Sequence, residues 1–570
     1  MIPTELQRLL LMVGLAATGY LLILAWTDDY GGQNAPAVAA APQVGADAPF
    51  AVEPVAPATE SLGSGDIPDA SMLAETIADT ESTVPVAPSV SEDRLVVVRT
   101  DVLEVWIDLV GGDLVRVRLP DYPVTLDEPD TPFVLLDRGN GRTYIGQSGL
   151  IGPDGLDRGG ERPRFSSERR EYDFSVDGGE VRLVTERDGA VVEKRFRFQP
   201  DDYAVGVSYR VVNNRATPFK ARFFAQIKRD SLPALGEASF TLGPQPYLGA
   251  AITTAEERYE KVSFDDLDDG QLRRTVTGGW VAMLQHYFLS AWVPEADQTN
   301  QVYGQPRSDG TYIVGFSGPV REVAAGATGQ WQAQFYAGPK DQERLAELAD
   351  YLNLTVDYGF LWWMASPLFK LLSLLQGIVV NWGVAIIALT VVVKLILYPL
   401  SAASLRSMAN MRRVTPQLKR LQDRYGDDRQ KLSQEMMALY KKEKVNPLGG
   451  CLPMLLQMPV FLALYWVLFE SVELRQAPFF LWIQDLAAMD KFFVLPILMG
   501  ASMYFQQSLN PPIMDPTQAK VMKFMPIMFT ALFLFFPAGL VLYWLTNNVL
   551  SMAQQWFVNR QVEGEAKPAT

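Results

Sequence analysis

The chain has 570 residues, of which 48% are apolar and 20% are charged, and its formal net charge is −15. Its single cysteine, Cys451, and its single histidine, His286, exclude an intrachain disulfide and a Cys/His metal cage. No glycine-rich nucleotide-binding motif and no GxSxG motif occurs, and His286 lies among aromatic residues. We therefore expect a packed histidine, no enzymatic activity, no metal and no cofactor.

The chain begins with an apolar segment, residues 9–26, that contains no charged residue. Eighteen such residues can cross a bilayer core of about 30 Å as a helix. The segment is longer than the apolar part of a usual signal peptide, about 7–15 residues, and no clear cleavage site follows it. The pattern predicts a transmembrane anchor over 1–27, and Arg8 before the segment with Asp28 and Asp29 after it favours a cytosolic N-terminus.

Residues 28–93 have an unusual composition, with twelve acidic residues, no Lys or Arg, and many Pro, Ala, Gly and Ser residues. Such a segment cannot bury enough apolar surface to order itself. We predict a disordered acidic tether on the outer side of the membrane.

Apolar and polar residues alternate from residue 94 to about 345, which is typical of β-strands. In "LEVWIDLVGGDLVRVRL" the alternation stops at Gly111-Gly112 and then resumes, and Asp188-Gly189 interrupts "VRLVTERDGAVVEKRFRF" in the same way. These are turn signals of β-hairpins, so the segment predicts a large antiparallel, all-β sandwich domain. Sugar-binding and enzymatic sandwiches share this pattern, but a docking or spacing role is favoured because no catalytic cluster occurs.

Long apolar segments begin at Phe360 and continue almost to the end of the chain. Within residues 346–380, the apolar stretch 360–380 is interrupted by Pro367, Lys370 and Gln376, so it could cross the membrane or lie in the interface. A cytosolic N-terminus, one anchor and an external sandwich require one crossing before the basic, cytosolic loop that follows residue 400. We therefore predict an interfacial amphipathic helix over 346–380. Residues 381–556 predict an all-α polytopic core of five transmembrane helices, followed by a cytosolic tail over 557–570. The five segments are 382–400, 448–469, 492–508, 522–537 and 539–556.

The loop after the first of these segments, residues 401–447, is basic. Residues 401–446 contain eleven basic and five acidic residues, a net charge of +6, which marks a cytosolic loop. Apolar residues recur at spacings of three and four on both sides of Gly426, which predicts a two-helix hairpin with a narrow apolar seam. The hairpin either only fixes the topology or docks an acidic partner. The docking residues would be Arg412, Arg413, Lys419, Arg420, Arg424, Arg429, Lys441 and Lys442.

One charged residue, Lys394, lies inside an apolar segment, "VVVKLILYPL". A charge at the centre of a spanning helix costs about 2.5–3.5 kcal/mol on insertion scales. Lys394 follows Asn381 by thirteen residues, so it would lie about 20 Å along the helix, nearer the cytosolic end. It either snorkels to the interface or is a functional charge in a hydrated cavity. Thr390 lies one turn away, and Gln457 adds an amide from a neighbouring segment.

The chain resembles the YidC-type membrane protein insertases of Gram-negative bacteria, the YidC/Oxa/Alb family, in four C-terminal stretches. These are "QEMMALYKKEKVNPLGGCLPMLLQMPVFLALYWVL", "SVELRQAPFFLWIQDL", "LPILMGASMYFQQ" and "KFMPIMFTALFLFFPAGLVLYWLTNN". It also resembles the periplasmic domain and the interfacial helix of that family in "GGWVAMLQHYFLSAWVP" and "LTVDYGFLWWMASPLFKLL". The similarity covers essentially the whole chain apart from the acidic tether.

The resemblance implies an insertase and chaperone of the inner membrane that acts alone or beside the SecYEG translocon, without nucleotide hydrolysis. It implies a multi-pass protein with both termini in the cytosol and with the tether and the sandwich in the periplasm. The implied partners are nascent inner-membrane proteins, SecYEG and SecDF, and the lipid bilayer. Through the basic hairpin they also include the ribosome and the signal recognition particle receptor.

The resemblance also implies the functional residues. In the family, five helices form a hydrated groove that opens to the cytosol and to lipid, with a conserved arginine near its middle. The position that matches this arginine is Lys394, which keeps the charge but lacks the planar guanidinium. Thr390, Phe461, Met499 and Trp544 match positions on the client's exit face, although the family often has tyrosine where this chain has Trp544.

Two other functions are compatible with the residues alone. An ion or solute transporter also carries an intramembrane charge, but the sequence has no inverted repeat and no second such charge to pair with Lys394. A membrane-anchored periplasmic carbohydrate-binding module would use the sandwich domain and need the helices only as an anchor.

Overall fold

A computed structural model describes residues 92–565, except for 140, 159–160, 234–245, 427, 444–451 and 510–515. The predicted anchor over 1–27 and the predicted tether, up to residue 91, lie outside the described residues. The described residues form two compact units, one ending at Thr355 and the other beginning at Val356. The first consists mainly of β-strands and the second of helices, as the sequence predicts.

The first unit, called the sandwich unit below, contains two β-sheets. In chain order the strands are β1 (Leu95–Arg99), β2 (Glu104–Asp108), β3 (Asp113–Pro123), β4 (Pro132–Gly139), β5 (Arg142–Ile151), β6 (Ser166–Ser167), β7 (Glu171–Asp173), β8 (Gly179–Arg187), β9 (Ala190–Phe198), β10 (Ala204–Asn213), β11 (Phe219–Asp230), β12 (Gly249–Ile252), β13 (Glu260–Val262), β14 (Leu272–Thr277), β15 (Val281–Leu284), β16 (Phe288–Pro294), β17 (Thr299–Pro306), β18 (Thr311–Ser317), β19 (Arg321–Val323) and β20 (Thr328–Pro339).

The larger sheet has eleven strands in the order β14-β17-β18-β11-β5-β4-β3-β2-β1-β7, with β19 paired to β11. The smaller sheet has nine strands in the order β13-β12-β15-β16-β20-β10-β9-β8-β6. Among the described strands, paired neighbours are antiparallel apart from β1 and β7. The two sheets confirm the predicted large β-sandwich.

Both predicted hairpin turns are present. Between β2 and β3, Gly111 and Gly112 have φ angles of 81° and 65°. Between β8 and β9, Asp188 and Gly189 have φ angles of 54° and 80°. Tight hairpins need positive φ at their central residues, and glycine adopts it without the clash that a Cβ atom causes.

The inner faces of the two sheets pack against each other. The indole nitrogen of Trp292 on β16 donates a hydrogen bond to the carbonyl oxygen of Gln226 on β11, at 3.0 Å. A Cβ atom at Gly146 on β5 would lie 2.8 Å from the ring of Phe335 on β20, so close approach of the sheets requires glycine there. The apolar core of this unit therefore lies between the sheets.

A group of charged side chains is buried between the same two sheets. Arg162 forms ion pairs with Asp113 and Asp157, whose side chains are almost fully buried. The ammonium of Lys194 donates to two backbone carbonyl oxygens on the opposite side of the core, at 3.1 and 3.2 Å. It forms no ion pair among the described residues, and burial lowers the pKa of Lys194 to about 7.

The sandwich unit also contains two short helices, α1 (Phe264–Asp269) and α2 (Gln342–Leu348). The second unit, called the helical unit below, consists of helices. Its helices are α3 (Trp362–Val379), α4 (Trp382–Ile396), α5 (Tyr398–Tyr425), α6 (Arg429–Lys442), α7 (Leu452–Glu470), α8 (Val494–Ser508), α9 (Pro516–Phe533) and α10 (Ala538–Glu565). Short 3₁₀ turns lie at Glu92–Arg94, Leu352–Thr355, Gly359–Leu361 and Val472–Leu474.

The segment predicted as one transmembrane helix over 382–400 is interrupted at Leu397. α4 ends at Ile396, α5 begins at Tyr398, and the two helices are bent by 69°. Pro399 lies in the first turn of α5, where its missing N–H and its ring prevent the hydrogen-bond ladder of α4 from continuing. The segment is therefore two helices that meet at an angle rather than one.

Within the described ranges, no single helix has the length and apolar composition expected of a membrane span. The bent pair Trp382–Ile396 and Tyr398–Met411 meets both criteria together. The other four predicted segments overlap α7, α8, α9 and α10, one segment to each helix. The number of membrane crossings stays a prediction.

α3 lies within the range predicted for the interfacial helix, and it has two unlike faces. Ala365, Phe369 and Leu372 are buried, whereas Trp362 and Trp363 at its start are more than half exposed. Leu374 and Ile378 are exposed as well, so the outward face is largely apolar apart from Lys370. The amphipathic character of α3 stays a prediction. Its position in a membrane interface stays a prediction.

α5 and α6 pack against each other along a narrow apolar seam. The seam consists of the buried Val414 and Leu418 together with Met411, Met436, Leu439 and Tyr440. α5 also packs against α10, through Ala402, Val558 and Val562. The periodic apolar positions in the basic loop are thus the contact residues of a helix pair.

Candidate functional site

Lys394 lies in the last turn of α4, the helix that begins at the N-cap residue Asn381. Its ammonium donates a hydrogen bond to the hydroxyl of Ser551 on α10, at 2.7 Å. It also donates to the side-chain carbonyl of Gln457 on α7, at 3.4 Å. Lys394 and Gln457, the charge and the amide chosen from the sequence, are therefore direct partners, and both are half-buried.

The polar cluster around Lys394 includes two residues that the sequence analysis missed, Asn547 and Ser551. The amide nitrogen of Gln457 donates to the side-chain carbonyl of Asn547, and the Ser551 hydroxyl donates to the backbone carbonyl of Asn547 at 2.7 Å. Asn547 and Ser551 are four residues apart on α10, so they share one face of that helix. Their spacing of four residues in a predicted membrane segment was a signal from which both could have been predicted.

α10 carries further polar residues, each bonded to a different helix. Asn548 donates to the Ser502 hydroxyl of α8 at 3.0 Å, and Gln554 donates to the Ser401 hydroxyl of α5 at 2.6 Å. Polar bonds from α10 therefore reach α4, α5, α7 and α8. Each bond satisfies groups that would be costly to bury alone.

The charge of Lys394 is satisfied only by neutral groups. Among the described residues it forms no ion pair, and its hydrogen-bond partners are a hydroxyl and an amide. Dipoles of this kind stabilise the ammonium without cancelling its charge. The positive field of Lys394 is therefore available to an anionic group that enters this part of the unit.

Thr390 and Met499 are buried inside the helical unit. Thr390 lies one turn before Lys394 and donates its hydroxyl hydrogen bond to the carbonyl of Ile386 on the same helix, at 2.7 Å. Met499 on α8 has no exposed surface. A molecule outside the unit can contact these two side chains only after the neighbouring helices separate.

Phe461 and Trp544 meet at the edge of the same unit. Their rings are 4.4 Å apart between centroids and almost perpendicular, at 89°. Trp544 also contacts the ring of Phe533, at 5.2 Å. Both residues are half-buried, so this aromatic pair presents part of its surface to the outside.

The basic residues of the α5–α6 hairpin fall into two groups. Lys419, Arg420 and Arg424 on α5, and Lys441 and Lys442 on α6, are exposed. Arg413 is exposed too, but its guanidinium donates to the carbonyl of Val562 on α10, at 2.5 Å. The side chains of Arg412 and Arg429 lie outside the described residues.

Comparison with known proteins identifies the family of the chain. Residues 374–566 match the family model described as 60Kd inner membrane protein, and residues 95–371 match the model of the YidC periplasmic domain. The chain is 49% identical to the membrane protein insertase YidC of Ectopseudomonas mendocina, over 99% of this chain and 100% of that protein. It is 50% identical to the protein of the same name from Stutzerimonas stutzeri, with the same coverage.

The chain belongs to the YidC membrane protein insertase family. A solved YidC insertase structure, crystallised with its first transmembrane domain resolved, is 21% identical and covers 81% of this chain and 92% of its own, with a TM-score of 0.37. The sandwich unit corresponds to the YidC periplasmic domain model. Lys394, Gln457, Phe461, Met499 and Trp544 all fall within the range matched by the 60Kd inner membrane protein model.

Proposed function

We propose that this protein is a membrane protein insertase and chaperone of the bacterial inner membrane, and that Lys394 is the charge that attracts its clients. Full-length similarity to YidC insertases supports the first part. The observation that carries the second part is the pair of neutral partners, Ser551 and Gln457, around the Lys394 ammonium. We propose that these groups line a hydrated groove open to the cytosol.

The energetic barrier in insertion is the passage of a polar tail through hydrocarbon. A groove that holds water along part of the path shortens the dry distance, and Lys394 attracts acidic residues of the tail into it. The client's apolar segment then moves into lipid, and its burial drives the step. No hydrolysis is needed for a short tail.

The proposed client path combines two kinds of contact. The exposed parts of the Phe461–Trp544 pair offer an aromatic surface to the client's apolar segment. Thr390 and Met499 are buried, so they would contact a client only once α4 and α8 separate from their neighbours. Gln457 contacts the client's polar tail together with Lys394.

We further propose that the protein works alone or with SecYEG and SecDF, and that its basic hairpin docks the ribosome and the signal recognition particle receptor. Among the described side chains, eight exposed cations on α5 and α6 support the docking surface, because RNA and acidic proteins are its natural electrostatic partners. The topology that we propose has both termini in the cytosol and the sandwich unit in the periplasm.

The test is reconstitution of the purified protein into liposomes with a single-span client that has a short acidic tail. We expect Lys394→Ala to reduce translocation of the tail on the order of tenfold, equivalent to about 1.4 kcal/mol. Lys394→Arg should retain activity because it keeps the charge. The matched control is Lys370→Ala, which removes an exposed lysine from α3. Equal insertion by all variants would refute the role of Lys394.

A transporter is the second candidate, because an intramembrane charge is also typical of ion and solute pathways. Flux of ions or small solutes into the same liposomes distinguishes the two. A transporter would show flux that needs Lys394 and no client, whereas an insertase would show client-dependent translocation only.

A further inference from the structure

The loop between α7 and α8, residues 476–493, has apolar side chains on its outer surface. Phe480 and Leu481 are 57% and 79% exposed, and Phe492 is 65% exposed. Met489 and Phe493 are exposed as well. Loops in contact with water usually have polar side chains on their outer surface. Five outward apolar side chains in one short loop therefore require an explanation.

The loop is a fixed structure rather than a loose connection. Asp485 accepts hydrogen bonds from the backbone N–H groups of Gln476, Ala487 and Ala488, at 3.0, 2.8 and 3.3 Å. It is one of two carboxylates in the loop, and both are used in this way. A backbone hydrogen bond from the N–H of Leu486 to the carbonyl of Ala477, at 3.0 Å, closes this part of the loop.

Asp490 is the second carboxylate, and it is almost fully buried. It accepts from the indole N–H of Trp482 at 3.0 Å and from the backbone N–H groups of Phe492 and Leu495, at 3.0 and 2.7 Å. Because both acids face inward, the outer surface of the loop carries no carboxylate of its own. Its charged outward residue is Lys491.

The loop is joined to the ends of several helices. The side-chain amide of Asn381, at the start of α4, donates to the carbonyl of Phe479 at 3.2 Å. The backbone N–H groups of Ala538 and Gly539, at the start of α10, donate to loop carbonyls at 2.8 Å each. The loop therefore covers the end of the helical unit at which α4 begins, whereas Lys394 lies near the other end of that helix.

Two of the outward residues have strained backbones. Leu481 and Phe493 have φ angles of 58° and 57°, in the left-handed region that side chains with a Cβ atom rarely adopt. Such conformations persist where the surrounding structure enforces them, and they cluster at functional positions. Here they keep apolar side chains directed outward.

The exposed apolar surface continues from the loop along α8. Ile497 and Leu498, in the first turn of that helix, are 57% and 48% exposed. An apolar helix face that continues into an apolar, cationic loop matches the profile of a bilayer, from its hydrocarbon to its anionic headgroups.

We propose that the 476–493 loop is an interfacial anchor that inserts Phe480, Leu481 and Phe492 into the membrane leaflet at its end of the helical unit. In the proposed topology this is the periplasmic leaflet, with Lys491 at the level of the phosphates. The anchor fixes the ends of α4, α8 and α10 at a constant depth. The inference rests on the proposed membrane placement of the helical unit.

The experiment uses single-cysteine variants of the full chain in a Cys451→Ser background, labelled with an environment-sensitive fluorophore and reconstituted into liposomes that contain anionic phospholipid. The test position is Leu481→Cys. Val176→Cys, in the sandwich unit, is the aqueous control, since it is 85% exposed and similarly apolar. Leu395→Cys, 66% exposed on α4, is the membrane control.

We expect the label at position 481 to show blue-shifted emission, loss of quenching by iodide and quenching by lipids that carry a shallow nitroxide. The label at 176 should remain accessible to iodide. If 481 is accessible to iodide while 395 is quenched by lipid, the anchor is disproved and the membrane placement stands. If 481 is shielded only after a client or another protein is added, the loop is a protein-binding surface and the anchor is likewise disproved. If neither 481 nor 395 is quenched by lipid, the membrane placement itself fails.

Discussion

Arg162 in the sandwich unit and Lys394 in the helical unit are both cations removed from bulk water, but their surroundings differ. Arg162 lies between the carboxylates of Asp113 and Asp157, so its charge is neutralised within the fold. Lys394 is bonded to a hydroxyl and an amide and has no ion pair among the described residues. The first charge is used for structure, and the second keeps a field that can act on another molecule.

The largest effect on client insertion is expected from reversing the unpaired charge. Lys394→Glu should reduce insertion of a client with an acidic tail on the order of a hundredfold, equivalent to about 2.8 kcal/mol, because attraction becomes repulsion. A matched client whose tail carries lysines in place of the acids should lose much less or gain. Protease protection of the tail in liposomes measures both. Equal losses for the two clients would mean that the site recognises something other than charge.

The largest effect on the free energy of unfolding is expected at Arg162, and it distinguishes the two cations. Arg162→Met removes the cation that forms ion pairs with two buried carboxylates and leaves only the Lys194 ammonium near them. Loss of one partner from a buried ion pair costs about 3–5 kcal/mol. Lys394→Met should leave the stability of the helical unit unchanged or raised, since no carboxylate loses its partner. Pulse proteolysis of the full chain over a range of urea concentrations reports each unit through its fragments.

The control for Arg162 is an exposed pair in the same unit. Arg274 bonds to Glu260 at 3.1 Å near the surface, so Arg274→Met should change stability little. If Lys394→Met destabilised the helical unit as strongly as Arg162→Met destabilises the sandwich, the contrast between a structural and a functional cation would be lost.

A further effect concerns how the stability of the sandwich unit depends on pH. The pKa of Lys194 is about 7 in the folded state, whereas an unfolded lysine titrates near 10.4. Between these values the unfolded state binds more protons, so the contribution of Lys194 to stability rises with pH. Lys194→Met should remove this part of the dependence, measured as unfolding midpoints between about pH 7 and pH 10. Lys220→Met, which removes an exposed lysine paired with Glu322, should leave the pH profile as it is.

The smallest effect is expected at the aromatic edge of the site. In a double-mutant cycle of Phe461→Leu and Trp544→Leu, the two substitutions should be coupled in the free energy of unfolding. The expected coupling is about 0.5–1.5 kcal/mol, the usual range for perpendicular ring pairs. Trp556 lies on the same helix and is 60% exposed, so Trp556→Leu is the control. Its effect on the free energy of unfolding should simply add to that of Phe461→Leu. A coupling near zero for Phe461 and Trp544 would mean that the two rings do not act as one surface.

Local signals in the sequence predicted local features well. The turns at Gly111-Gly112 and Asp188-Gly189 and the seam residues Val414 and Leu418 follow from short-range patterns of glycine and apolar residues. Lys394 was recognisable because a charge in an apolar segment stands out. The order of the strands was not predictable in this way, since neighbours such as β10 and β20 pair residues that are far apart in the chain.

The parts of the site that the sequence analysis missed depend on contacts between helices. Asn547 and Ser551 are ordinary polar residues until α10 brings them against Lys394 and Gln457. The break at Leu397 was missed for a different reason, because the apolar pattern of 382–400 hid the effect of Pro399 on the backbone. Composition predicts that a segment is buried, but only backbone hydrogen bonding decides whether it is one helix.

The break at Leu397 has a mechanical consequence. α5 is a helix of 28 residues, an arm of about 42 Å with its pivot three residues after Lys394 and with Pro416 in its interior. A rotation of about 10° at that pivot moves the far end of the arm by about 7 Å. The exposed cations lie along the outer part of the arm, and the Gln554–Ser401 hydrogen bond clamps it next to the pivot, at 2.6 Å. A load applied to the basic hairpin therefore acts first on the contacts between α5 and α10, which lie between the outer cations and the turn of the chain that holds the lysine.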